Sequence, residues 1–236
     1  MVAGRLTSTK KQLRKLIVGA VGATVVMALV GHAAAAEAMQ ADINGPFGLP
    51  TVAISEGQWS ATWRDLQSQI QSEKRIIAQC RAEPHLCTSS AALRFISLVK
   101  EGEQYDGLLR IARINRAVNF AISAASQPTW TSPLNVLAAG VGDCKQYAVL
   151  KYAVLEAAGF APEDLRLVIV RIKSQPNNHA VVAVRHGSHW FVLDNRSLAV
   201  VQSTELLDYY VPLLTPDHQG VRQFVVPPNP KVAGLQ

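Results

Sequence analysis

In the stretch Gly140-Val141-Gly142-Asp143-Cys144-Lys145-Gln146-Tyr147 two glycines let the chain turn sharply just before Asp143, a residue type that caps helices well. Apolar residues at Tyr147, Leu150, Val154 and Leu155 then recur at helical spacing, and Gly159 stands where a helix would stop. A helix over 143–158 is the reading. Three runs rich in branched residues follow, at 165–172, 179–184 and 190–193, each the length of a strand. In front, Trp59, Trp63, Leu66, Ile70, Ile76 and Ile77 fall mostly three and four residues apart, which predicts a helix over 59–79 with one buried face. Two more helices fit 90–100, capped by Ser89 or Ser90, and 105–123, with Gly102 breaking one from the other. The segment 124–142, with Pro128, Pro133, Gly140 and Gly142, reads as a loop. Helices, a loop, a helix and an antiparallel sheet make an α+β domain.

The same stretch places a thiol at a helix start. Unpaired N–H groups and the helix dipole there favour thiolate over thiol, which a cysteine nucleophile requires near neutral pH. Asp143 opposes that trend, so a nearby imidazolium is wanted. Arg185-His186-Gly187-Ser188 reads as a tight hairpin turn with His186-Gly187 as its two-residue loop. Arg185 then faces Ser188, and six residues further along each strand His179 faces Asp194. Side chains so opposed are about 4.5–5.5 Å apart at Cβ, close enough for a carboxylate to orient an imidazole. Cys144, His179 and Asp194 are therefore the candidate nucleophile, base and orienting group. Individually each has a blander reading: a small buried thiol, an interior histidine, a turn aspartate. Trp130, upstream of the thiol, is a candidate groove wall or oxyanion donor and equally a core residue, Asp143 is a second candidate on the substrate and oxyanion side, and the Cys144 N–H is the safer oxyanion donor.

The 236-residue chain is 49% apolar, enough for one buried core. Arg5, Lys10, Lys11, Arg14 and Lys15 precede an apolar stretch at 16–30, which is short for a membrane span, and then the small residues of Ala33-Ala34-Ala35-Ala36. Residues 1–36 are read as a signal peptide cut after Ala36, with an uncleaved anchor as the alternative. Five of the 23 basic residues and none of the 17 acids lie in that segment, so the remainder carries only +1 and offers no basic surface for nucleic acid. Residues 37–57, rich in glycine and proline, are expected to be an extended lead-in, 58–226 the domain, and 227–236 a loose tail. In an oxidising compartment Cys80 and Cys87, separated by a turn containing Pro84, are expected to bridge, which leaves Cys144 free. No histidine spacing suggests a zinc site, and no metal or cofactor is assigned.

Gly142-Asp143-Cys144 with Tyr147, Asn178-His179-Ala180-Val181, and Val192-Leu193-Asp194-Asn195 together resemble the bacterial transglutaminase-like cysteine peptidases, which include LapG-like periplasmic proteases that cut surface adhesins. The likeness in element order spans roughly 58–226, with its motifs within 130–196. It implies a papain-like core, peptide-bond hydrolysis through a thioester, and a protein substrate outside the cytoplasm. In the adhesin-releasing members acidic residues after the nucleophile help bind calcium. Here Lys145 and Gln146 stand in those places and only Asp143 matches, so calcium binding is not expected. A transglutaminase-type acyltransferase would use the same three residues, and a silent binding module could keep the fold. The residues name no regulatory partner.

Overall fold

The computed structural model describes residues 45–225. The expected signal peptide, the start of the lead-in and the tail from 226 onward lie outside those residues.

Helix α1 (Gln58–Ala82) buries Trp63, Leu66 and Ile70 along one face, as their spacing requires. At its end Cys80 and Cys87 are disulfide-bonded, with Cα atoms 4.7 Å apart, closing the corner into α2 (Ser90–Glu103). Ser89 caps α2 by accepting from the Ala92 N–H at 3.2 Å. Gly102 does not break the chain between helices. It lies in the last turn of α2, where an added Cβ would stand 2.5 Å from Ile114 of α3 (Gly107–Ala121). Close approach of the two helices, not flexibility, is what glycine provides there.

The expected loop at 124–142 contains a helix, α4 (Pro133–Ala139), begun by proline at its first position and ended by left-handed Gly140. Both residues read as loop punctuation in the sequence, yet both also mark helix ends. Two-residue strands β2 (Ser123–Ala124) and β3 (Val141–Gly142) pair in parallel on either side of it. Helix α5 (Cys144–Ala157) is buried at every position from Gln146 to Leu155, so it runs through the core rather than over it.

Seven antiparallel strands form the sheet. The expected strands are β4 (Leu165–Ile172), β5 (Asn178–His186) and β6 (His189–Leu193). Four more join them: β1 (Thr51–Ile54), β7 (Val201–Gln202), β8 (Tyr210–Asp217) and β9 (Gly220–Phe224). Their order across the sheet is β1-β9-β8-β4-β5-β6-β7. Pro212 and Pro216 hide β8 from a pattern reading, and a register shift at Ile169/Val170 accommodates Pro212 against β4.

Both faces of the sheet are covered. Leu167, Ile169, Val182 and Leu193 pack toward the helices, while Val168, Val170, Val181 and Val192 pack with Phe47, Tyr210 and Phe224 on the other side. Phe47 is 1% exposed and meets Phe224 edge-on at 6.0 Å, and its N–H donates to Ser203 Oγ at 2.9 Å. Residues 45–57, read as a lead-in, thus contribute core and a strand.

The hairpin loop is Gly187-Ser188, not His186-Gly187, since His186 pairs with His189. Gly187, with φ 61°, takes the first loop position, where one class of two-residue turn demands glycine. The ladder reaches Val182 opposite Leu193, which brings Asp194 level with Val181. His179 is therefore a diagonal neighbour of Asp194 and not its direct partner. A shift of two leaves both side chains on one face and within reach.

Candidate active site

The thiol end of α5 is built by local rules. Asp143 Oδ1 accepts from the Lys145 N–H at 3.0 Å, and Gln146 Oε1 returns the bond by accepting from the Asp143 N–H at 3.1 Å, a capping box. Asp143 Oδ2 also accepts from the Gln127 N–H at 3.1 Å and from Lys145 Nζ at 2.7 Å. Gln146 Nε2 donates to the Thr129 carbonyl at 2.6 Å, so the 127–131 segment is moored to the helix start from both sides. Gly142 is required by crowding: a Cβ there would lie 2.5 Å from Gln146 Cβ.

Cys144 is the free cysteine among the described residues and is half-buried. Burial pushes its thiol up, but hydrogen bonds from the His179 ring and the Ala180 N–H, with the positive charge of His179, bring it below the ordinary value; Asp143 opposes them. His179 is 6% exposed and its Nε2 lies 2.9 Å from Asp194 Oδ1, which leaves Nδ1 as the nitrogen for sulfur. Burial lowers the imidazole, and the bonds to Asp194 and Cys144 more than reverse that. Burial raises Asp194, yet His179, Tyr210 and the Arg196 N–H hold it well below the usual carboxylate range. A depressed thiol beside a raised imidazole is the arrangement of a thiolate–imidazolium pair.

Four groups around Asp194 were not legible in the sequence. Tyr210 donates its hydroxyl to Oδ2 at 2.5 Å, and Arg196 donates its backbone N–H to Oδ1 at 2.9 Å. Asn119 Nδ2 donates to the Asp194 carbonyl at 3.1 Å and to the Ser197 carbonyl at 3.1 Å, which fixes the turn after β6. Lys151, on α5 and 1% exposed, carries an amine with no hydrogen-bond partner among the described residues; burial drives it down to about 7, with Asp194 pulling it up. These come from separate elements, and apart from the Arg196 N–H, two residues after Asp194, no local spacing signals them.

Of the remaining candidates, Asp143 is the cap just described, and burial is outweighed there by its bonds to Lys145 and Gln127, which lower it. Trp130 sits half-buried on the moored segment, edge-on to Trp59 at 6.0 Å.

The profile of the bacterial transglutaminase-like cysteine proteinase family (BTLCP) matches residues 72–220. No curated protein matches the sequence. Among solved structures, Legionella pneumophila LapG is similar with TM-score 0.52 at 18% identity, over 68% of this chain and 91% of that one. Its calcium-bound form gives 0.51 at 18% over 69% and 87%, and its EGTA-treated form 0.52 at 19% over 68% and 91%. At such identity the likeness concerns the fold, an α+β arrangement of the transglutaminase-like type. The family profile runs from the middle of α1 to the start of β9 and covers well over half of the chain, the thiol helix and strands β2 to β8 included, so this chain belongs to the bacterial transglutaminase-like cysteine proteinases.

Proposed function

We propose that the chain is an exported cysteine endopeptidase that hydrolyses peptide bonds of a protein outside the cytoplasm, with Cys144 as nucleophile, His179 as acid–base and Asp194 as orienting group. The observation that carries this reading is the imidazole of His179 held at 2.9 Å by the buried Asp194 carboxylate, with the half-buried thiol at the head of α5 shifted downward by that imidazole. Export is supported by the basic, apolar and small-residue order of residues 1–36.

In this mechanism the Cys144 thiolate attacks the scissile carbonyl carbon. Negative charge that gathers on the oxygen meets the Cys144 N–H, which as the first helical residue has no acceptor within α5. The S–C bond forms, the C–N bond breaks, and the imidazolium of His179 gives its proton to the departing amine. Neutral His179 then takes a proton from water as the water oxygen bonds the thioester carbon, the C–S bond breaks to release the carboxylic acid product, and the thiolate–imidazolium pair is restored. Asp194 keeps the ring oriented and stabilises its cation throughout. Trp130, on the moored 127–131 segment, is the proposed wall of the substrate groove.

LapG has a calcium-bound form. Here the Asp143 carboxylate is already engaged by the Lys145 ammonium at 2.7 Å and by two backbone N–H groups, and an ammonium opposes a divalent cation. We therefore assign no calcium requirement.

The test compares proteins shed or shortened by cells carrying the wild-type chain and by cells carrying Cys144→Ala. Fragments that appear only with the wild type are expected. Identical sets would overturn the reading, and incorporation of a labelled amine by the purified protein would replace hydrolysis with acyl transfer.

A further inference from the structure

The Asp194 carboxylate serves two customers. His179 Nε2 holds Oδ1 at 2.9 Å, and the Tyr210 hydroxyl holds Oδ2 at 2.5 Å. Tyr210 opens β8 and is 5% exposed. Its oxygen in turn accepts from Arg196 Nη2 at 2.6 Å, and the guanidinium lies 5.8 Å from the centre of its ring. Arg196 also reaches Oδ2 directly at 3.6 Å. The phenol ring is 6.1 Å from the imidazole. The other charged groups facing this cluster are the Lys151 amine, from α5, and the Cys144 thiol beyond His179.

A carboxylate that shares its charge with a second strong donor is a weaker acceptor toward the first. A hydroxyl already accepting from a guanidinium is polarised and donates more strongly. Burial and the bond to Asp194 push Tyr210 up to about 12, against the pull of Arg196, so near neutrality the hydroxyl only donates to Asp194. The acid–base group must give up its proton in every turnover, and an imidazole held too firmly by its aspartate would do so slowly.

We propose that Tyr210, oriented and polarised by Arg196, is a positioning residue that draws charge from Asp194 and so limits how firmly His179 keeps its proton. The proposal rests on the roles assigned to His179 and Asp194 above. The plain alternative is a buried phenol that has merely found an acceptor. That alternative concerns stability alone and leaves the proton affinity of His179 unmoved.

The two are separated by titrating the His179 ring by NMR in the full, histidine-labelled chain. A Cys144→Ala background makes the titration belong to the imidazole alone, not to a thiol–imidazole pair. The resonance is assigned by its loss in His179→Gln. Tyr210→Phe is expected to raise the midpoint by about half a pH unit or more. Arg196→Gln, at an exposed side chain, is expected to raise it by less, and it carries the test if the phenylalanine variant does not fold. An unchanged or lowered midpoint in either folded variant overturns the proposal. Asp194→Asn in the same background must lower the midpoint; if it does not, the underlying triad fails rather than the tuning by Tyr210.

Discussion

His179 Nε2 and Asp194 Oδ1 meet at 2.9 Å although their strands set them diagonally, with Val181 and not His179 level with Asp194. On the Asp194 side the turn leaving β6 is pinned by Asn119 and by the Arg196 N–H. A carboxylate offset in this way approaches the ring through one oxygen and keeps the other for Tyr210.

Asp194→Asn is expected to lower kcat/KM for peptide hydrolysis by about 10²- to 10⁴-fold, mostly in kcat, because an amide neither stabilises the imidazolium nor enforces its tautomer. Steady-state kinetics of the two proteins checks this. A loss confined to KM would point to substrate binding instead.

Hydrolysis needs thiolate and imidazolium together, and the two groups are shifted in opposite directions, Cys144 downward and His179 upward, each toward the form required. The rate should rise as pH climbs through the depressed thiol value and fall as it climbs through the raised imidazole value, giving a bell with its top between them. A kcat/KM profile that keeps rising up to the ~8.5 of an ordinary thiol would contradict this.

Lys151 is expected to cost stability. Its folded value near 7 lies below the ~10.4 of an unfolded lysine, so between those values the unfolded chain binds the extra proton. Stability therefore gains as pH rises from about 7 toward about 10, and the cost is full at neutral pH and below. Lys151→Met should raise the unfolding free energy at pH 7 by about 1–4 kcal/mol and by less at pH 9.5. Urea denaturation at the two pH values reads it, and a variant less stable than wild type at both would defeat the expectation.

With Asp143 occupied by Lys145, chelation is expected to leave peptidase activity within about twofold of its untreated value. Activity abolished by EGTA and restored by calcium is the contrary result.

The start of α5 was legible because its signals are local: glycine, a capping aspartate and the thiol stand next to one another. The hairpin was legible as a hairpin, but Gly187 can serve as either loop residue, and only the whole ladder settles which. β8 was hidden by Pro212 and Pro216, and α4 by a proline and a glycine that resemble loop residues when read alone. Tyr210 and Lys151 could not be found at all, since what gives each its meaning is proximity to Asp194, 16 residues from Tyr210 along the chain and on a different element from Lys151. Local chemistry is written in the sequence, whereas the environment of a buried carboxylate is a property of the assembled fold.

The pairing of β1 with β9 joins the beginning of the described chain to its end, Thr51 beside Phe224 and Ile54 beside Val221. A protein trimmed to begin at Gln58 would bare the outer rim of β9, with its unsatisfied amides and carbonyls, and remove Phe47 from beneath Phe224. Such a rim is a template for another copy's backbone, so the shortened protein would tend to self-associate even though Cys144, His179 and Asp194 are all retained.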